Sequence, residues 1–78
     1  MQWDNAGNAY IEVESWEEEG RTEQVRLTYV QQGFDGGPTI RIQIREPSGR
    51  LRQGPEMPTR VVSQVVKSLV DLLHAHSG

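Results

Sequence analysis

The stretch Ile40-Arg41-Ile42-Gln43-Ile44-Arg45-Glu46 decides the fold of this chain. Its isoleucines recur at every second position, and two arginines stand between them. A period of two is typical of a β-strand that buries one face and exposes the other. The stretch therefore predicts a strand of an antiparallel sheet, with an apolar inner face and a cationic outer face.

Two further runs upstream have the same alternating pattern. A first strand is predicted at residues 10–16 and a second at 23–31, because both are rich in β-branched and aromatic residues. Between them, residues 17–21 predict a hairpin loop, since three adjacent carboxylates repel one another and Gly20 permits a turn. Residues 33–38 contain three glycines and a proline and end the second strand. A short fourth strand is predicted at residues 50–52.

Residues 59–74 predict an amphipathic helix, because their valines and leucines recur at helical spacing. Thr59 is the candidate N-cap, with Pro58 at the first helical position as the alternative. The apolar stripe is wider than so small a sheet requires, which favours a helix that forms a dimer. The predicted dimer interface consists of Val62, Val66, Leu69 and Leu73.

The predicted fold is α+β: a three- to four-stranded antiparallel curved sheet, followed by one C-terminal amphipathic helix that backs it. The 78 residues form a single domain, with a loose N-terminal segment at 1–9, the sheet at 10–54 and the helix at 59–74. So short a chain buries a small core, and it contains no cysteine for a disulfide. Association into a dimer is therefore the expected source of added stability.

The charges are unevenly distributed along the chain. Net charge is -3, yet residues 1–23 contain seven acidic residues and one basic residue, whereas the rest of the chain is mildly basic. Seven of the eight basic residues are arginines, which suit planar contacts to phosphate or carboxylate. Two interpretations follow: the arginines bind an anionic ligand, or the acidic residues of the first half pair with them across the sheet.

Catalysis and metal binding find little support in the sequence. Cysteine is absent, and the serines lack the neighbours that activate a nucleophile. His74 and His76 are two positions apart, which places them on different sides of a helix with no third ligand. No run reaches the roughly 20 apolar residues of a membrane span. We expect a cytoplasmic protein that is not an enzyme and has no metal or cofactor.

The outward face of the sheet is the candidate site. On the predicted strands, Tyr10 and Trp16 share that face with several arginines, and rings interleaved with cations are typical of surfaces that bind single-stranded nucleic acid. Phe34, in the glycine-rich loop, either tucks into the core or stands exposed as a further ring. The predicted nucleic-acid-binding residues are Arg26, Arg41, Arg45, Arg50, Arg52 and Trp16.

From residue 24 to residue 73, the chain resembles the transcriptional positive-coactivator family, whose short bacterial members bind single-stranded DNA. The resemblance lies in the order of elements, in Gln43-Ile44-Arg45 at the family's Asp-Ile-Arg element, and in the glycine-flanked basic segment 49–54 before the helix. This chain departs from the family in having Gln43 for the aspartate and few lysines. The resemblance implies a homodimer built through the helices. It also implies that Arg26, Arg41, Arg45 and Arg52 contact phosphates, while Trp16 or Tyr29 stacks on bases.

Two functions remain open on the sequence alone. The first is a single-stranded DNA- or RNA-binding protein that serves as an accessory in transcription or DNA metabolism. The second is a small acidic protein-binding module, such as an inhibitor, an adaptor or an immunity-type protein, including phage-encoded examples. The acidic residues 12, 14 and 17–19 favour the second, because an acidic surface suits a basic protein partner.

Overall fold

The computed structural model describes residues 1–77 and contains a five-stranded antiparallel sheet followed by a C-terminal helix. The strands adjoin one another in chain order, from β1 at one edge to β5 at the other. The α+β class is confirmed, whereas the strand count exceeds the three to four that were predicted. The elements are β1 (Gln2–Trp3), β2 (Ala9–Glu18), β3 (Arg21–Val30), β4 (Thr39–Arg45), β5 (Leu51–Pro58), a 3-10 helix (Thr59–Val61) and α1 (Val62–Ser77).

The extra strand comes from the N-terminal segment that was predicted to be loose. Trp3 pairs with Ala9 across a turn that Asp4 organises. The Asp4 carboxylate accepts the N–H groups of Ala6 at 2.9 Å and Asn8 at 2.8 Å. The hydrogen bond from the Asn8 N–H is the main reason that the pKa of Asp4 lies below its usual value. Local hydrogen bonding of this kind makes Asp a turn former, and it gives the segment a defined path.

The predicted hairpin at residues 17–21 is present, but its loop is shorter than predicted, because β2 and β3 continue to a two-residue turn. Glu17 pairs with Thr22, and the turn consists of Glu19 and Gly20, with φ of 52° and 76°. Positive φ at both positions matches a type I′ turn, whose twist suits the flanking strands. Glu17 and Glu19 are exposed, so solvent screens their carboxylates from each other and their repulsion does not prevent strand pairing.

Strand β5 is longer than predicted and passes through Gly54 and Pro55. The register with β4 shifts between Arg41 and Gln43, where β5 has an extra residue. A Cβ atom on Gly54 would lie 2.5 Å from the carbonyl oxygen of Ile42, so glycine allows the two backbones to approach. Proline is compatible with a strand at the edge of a sheet or at a bulge, and β5 provides both.

The register confirms the alternation that the isoleucines predict. Ile42 pairs with Leu27, which pairs with Ile11. In the neighbouring row, Ile44 pairs with Val25, which pairs with Val13. We call the side that carries these residues the apolar face. The intervening positions of the same strands form the opposite side, which we call the polar face.

The helix does not back the sheet as predicted. The main contacts of α1 are with the 3-10 helix that precedes it, and Leu69 on its apolar stripe is 55% exposed. On the apolar face of the sheet, Ile11 is 48% exposed. Val30, on the polar face, is the one buried hydrophobic residue within the described part of the chain. Two apolar surfaces of this chain are thus open to solvent at the same time.

The predicted N-cap at Thr59 is also wrong. Thr59 lies inside the 3-10 helix, and Pro58 occupies the cap position without a side-chain hydrogen bond to the helix. The Thr59 N–H donates instead to the carbonyl of Pro38 at 3.2 Å. This bond ties the start of the helix to the loop between β3 and β4.

The loop between β3 and β4 is closed by its own backbone. The Gly33 N–H donates to the Gly37 carbonyl at 2.8 Å, and the Gly36 N–H returns to the Gly33 carbonyl at 3.0 Å. Thr39 is fully buried beside it, and a Cβ atom on Gly33 would collide with the Thr39 side chain. Glycine at position 33 is therefore required by packing.

We expect Gly33→Ala to lower the free energy of unfolding by about 1–3 kcal/mol, because Thr39 must shift to admit the methyl group. Gly37→Ala is the matched control, since its Cβ would meet only the Asp35 carboxylate at 3.7 Å. Urea denaturation of both variants measures the difference. Equal stability of the two variants would contradict this account of the loop.

Candidate functional site

The polar face is formed by the outward positions of β2 to β5. In one row across the strands, Arg26 has Glu12 and Gln43 as its cross-strand neighbours. In the next row, Arg41 has Thr28 and Glu56 as its neighbours. Three residues of this face, Thr28, Thr39 and Gln43, are buried polar residues. The other residues of the face are Tyr10, Glu14, Glu17, Thr22, Gln24, Val30, Arg45, Leu51, Gln53 and Pro58.

Three of the predicted arginines lie together on this face. Arg26 is in β3, and Arg41 and Arg45 are in the adjacent β4. The guanidinium of Arg26 lies 3.6 Å from the centre of the Tyr10 ring, in a cation–π contact. The side chain of Arg26 is 15% exposed, whereas those of Arg41 and Arg45 are 35% and 32% exposed. A ligand on this face would therefore meet the two arginines of β4 first.

Each of the three arginines lies beside a carboxylate. Glu12 accepts a hydrogen bond from Nε of Arg45 at 2.7 Å and lies 3.8 Å from Nε of Arg26. Glu56 accepts a hydrogen bond from Nε of Arg41 at 2.9 Å. The interpretation in which acidic residues of the first half pair with arginines across the sheet is thus confirmed for Glu12. Nε of Arg26 is buried and has no hydrogen-bond partner among the described residues.

Glu56 also holds the loop between β3 and β4. Its second oxygen accepts the Thr39 hydroxyl at 2.9 Å and the Phe34 N–H at 3.1 Å. The bond from Arg41, followed by those from Thr39 and Phe34, keeps the pKa of Glu56 below its usual value. The Glu56 carboxylate therefore connects β5 to Arg41 in β4 and to the loop between β3 and β4.

Phe34 is exposed, which answers the question that the sequence left open. Its side chain is 68% exposed, and its backbone meets the polar face at Glu56. Glycine and proline around it indicate a loop but give no sign of which way the ring points. The hydrogen bond to Glu56 joins the backbone of Phe34 to the same carboxylate that Arg41 contacts.

The predicted placement of Trp16 beside Tyr10 is wrong. A bulge between Glu14 and Trp16 shifts the register, so that Trp16 pairs with Glu23 and joins the same side as Val25. The Ser15 hydroxyl stabilises the bulge by donating to the carbonyl of Glu23 at 3.2 Å and to its carboxylate at 3.0 Å. Trp16 lines a cleft of about 380 Å³ at the far end of the sheet.

Arg50 and Arg52 do not join the arginine cluster. Arg52 pairs with Ile44 and so lies on the side of the apolar face, with Glu46 at 3.6 Å and Glu23 at 3.8 Å. Arg50 is exposed in the turn between β4 and β5, where its carbonyl accepts the Glu46 N–H. The structure thus separates the six predicted residues into a group of three on the polar face and three elsewhere.

The apolar face contains a groove of about 310 Å³ where the helix begins. Its walls come from the N-terminus, from three strands and from the first residue of α1. Of the predicted dimer residues, Val62 lines this groove, Val66 and Leu69 are exposed, and Leu73 is 68% exposed. The lining residues are Met1, Ala9, Ile11, Leu27, Tyr29, Ile40 and Val62, together with Tyr10, which the register assigns to the polar face.

Comparison of the chain with family models, with curated proteins and with solved structures gives no match. Within residues 1–77, no three His, Cys, Asp or Glu side chains are grouped so that they could hold a metal ion. Over the same part of the chain, no helix has the length and apolar character to cross a membrane.

We expect Glu56→Gln to be less stable than the wild type at pH 7, because an amide cannot accept all three hydrogen bonds. The folded pKa of Glu56 is lowered, so its stabilising contribution is complete above the unfolded value, about 4.3, and is lost as pH falls through the folded value. The stability difference between the two proteins should therefore shrink below about pH 4.3. Thermal unfolding at pH 7 and at low pH measures it.

Glu14→Gln is the control for this comparison. Glu14 is exposed on the same face, and no ion pair within the described residues involves it. A Glu56→Gln deficit that is independent of pH would contradict the role given to its ionised form.

Proposed function

We propose that the chain is a non-catalytic homodimer that binds single-stranded nucleic acid on its polar face. The observation that carries the proposal is the division of the sheet into two unlike sides. One side presents three arginines, while the other side is apolar and left open by the chain's own helix. In this proposal the protein acts in the cytoplasm as an accessory in transcription or DNA metabolism.

The chemistry of the polar face supports a single-stranded ligand. The guanidinium groups of Arg41 and Arg45 are partly exposed and can form two parallel hydrogen bonds to a phosphate. Phe34, whose backbone N–H donates to Glu56, offers an exposed ring, and stacking of a base on an aromatic side chain contributes about 1–3 kcal/mol. In this proposal Phe34 takes the stacking role expected of Trp16, which lies on the other side.

The exposed apolar surfaces support a dimer. Val66, Leu69 and Leu72 are each more than half exposed on a helix whose stripe is apolar. A second copy could cover both this stripe and the apolar face of the sheet, because a two-fold interface buries the same patch on both subunits. Such burial would supply the core that one copy lacks, since Val30 is the sole buried hydrophobic residue in the described chain.

We expect the double variant Arg41→Gln with Arg45→Gln to bind a labelled single strand of about 20 nucleotides at least tenfold more weakly than the wild type at low salt. Its affinity should also depend less steeply on salt, by about 0.7 in logarithmic slope for each phosphate that the variant no longer neutralises. Fluorescence anisotropy at several salt concentrations measures both quantities.

Lys67→Gln is the control for loss of positive charge away from this face, since it removes one charge on α1, where Lys67 pairs with Asp71. It should leave binding close to that of the wild type. Absence of binding by the wild type at low salt would contradict the nucleic-acid proposal.

We expect sedimentation equilibrium to give twice the mass of one chain for the wild type. Leu69→Glu should shift the protein towards the monomer, because it places a charge in the proposed apolar interface. Gln64→Glu, at an exposed polar position of the same helix, should remain dimeric. A stable wild-type monomer at micromolar concentration would contradict the dimer.

A second candidate function is binding to a basic protein. The observation that favours it is the occupation of the polar-face arginines by Glu12 and Glu56, which leaves that face without excess positive charge. Exposed carboxylates at Glu14, Glu17 and Glu19 add to an overall charge of -3. If replacement of these three residues abolishes the biological activity while the arginine variants keep it, this second function is the correct one.

A further inference from the structure

We infer that Glu12 and Glu56 are internal competitors of the ligand, because they occupy the arginines that the phosphates of a bound strand would contact. This inference rests on the proposed nucleic-acid function and concerns the regulation of the same face. In the free protein each carboxylate takes the place of a phosphate oxygen. A strand binds by replacing these carboxylates at the guanidinium groups of β4.

The guanidinium of Arg45 already donates hydrogen bonds within the protein. Its Nε donates to Glu12 at 2.7 Å, and its Nη1 donates to the carbonyl of Gly49 at 3.1 Å. Two directions of the guanidinium are therefore already used inside the protein. A phosphate that binds the Nε edge of this guanidinium along two parallel bonds must displace the carboxylate of Glu12, which is the anionic one of the two acceptors.

Arg41 repeats the arrangement on the neighbouring row. Its Nε donates to Glu56 at 2.9 Å, and the other oxygen of Glu56 is held by Thr39 and Phe34. Glu56 is held by hydrogen bonds from the loop, whereas Glu12 is not. A phosphate therefore displaces Glu12 from its arginine more readily than Glu56. Glu12 is 17% exposed and is shared between Arg26 and Arg45.

The net charge of the polar face determines which anionic ligands can displace the carboxylates. The polar face carries three arginines against Glu12, Glu14, Glu17 and Glu56, so it has no excess positive charge to attract a single phosphate. A strand presents several phosphates at close spacing and can engage both arginines of β4 together. The carboxylates thereby favour a polyanion over free phosphate or a mononucleotide.

The test compares Glu12→Gln with Glu14→Gln, which change the net charge equally on the same strand and the same face. We expect Glu12→Gln to bind a labelled single strand of about 20 nucleotides about three- to fivefold more tightly than Glu14→Gln does at low salt. The salt dependence should also become steeper, by about 0.7 in logarithmic slope, as one freed arginine takes a phosphate. Circular dichroism checks that both variants are folded.

Glu12→Asp serves as the second variant in case the amide disturbs the fold. It keeps the charge but shortens the reach towards Arg45, so it too should bind the strand more tightly than the wild type. Equal affinities of the Glu12 and Glu14 variants, with a wild type that binds, would overturn the inference and leave the proposed function standing. No binding by the wild type or by either Glu12 variant at low salt would overturn both.

Discussion

The register of the three central strands is the constraint on which the rest of this structure depends. Because side chains alternate from one side of a strand to the other, a shift of one residue would exchange the two faces of the sheet. The pairing of Leu27 with Ile11 and Ile42 places Arg26, Arg41 and Arg45 on the opposite side. The arginine cluster, its carboxylate partners and the open apolar face all follow from that alignment.

Charge pairing then sets the character of the polar face. Glu12 comes from the acidic first part of the chain, while Glu56 comes from a strand that also fixes the Phe34 loop. These pairs are partly exposed, so each adds little to stability by itself. Their effect lies more in orientation, because they hold long side chains in one geometry and neutralise the surface that a ligand would meet.

Much of the sheet could be predicted from the sequence, and the failures have local physical causes. The alternation in β3 and β4 identified the two strands. It also identified the face of Arg26, Arg41 and Arg45, because alternate residues of a strand point to opposite sides of the sheet. The side of Trp16 depended on one extra residue at a bulge, and hydrophobic alternation does not contain that information. The helix has the predicted period, but a period alone does not say whether its apolar stripe meets its own sheet or another surface.

The two outermost strands determine how copies of this chain can assemble. An uncovered strand with free N–H and C=O groups is a template on which further strands can add, which leads to fibres. At one margin β1 is only two residues long. At the other, Pro55 and Pro58 lack an N–H donor, and the bulge near Gly54 interrupts the regular spacing. Strand addition is therefore disfavoured along β5, whereas β1 covers only Ala9 and Tyr10 of β2 and leaves residues 11–18 as the edge on which a further strand would add.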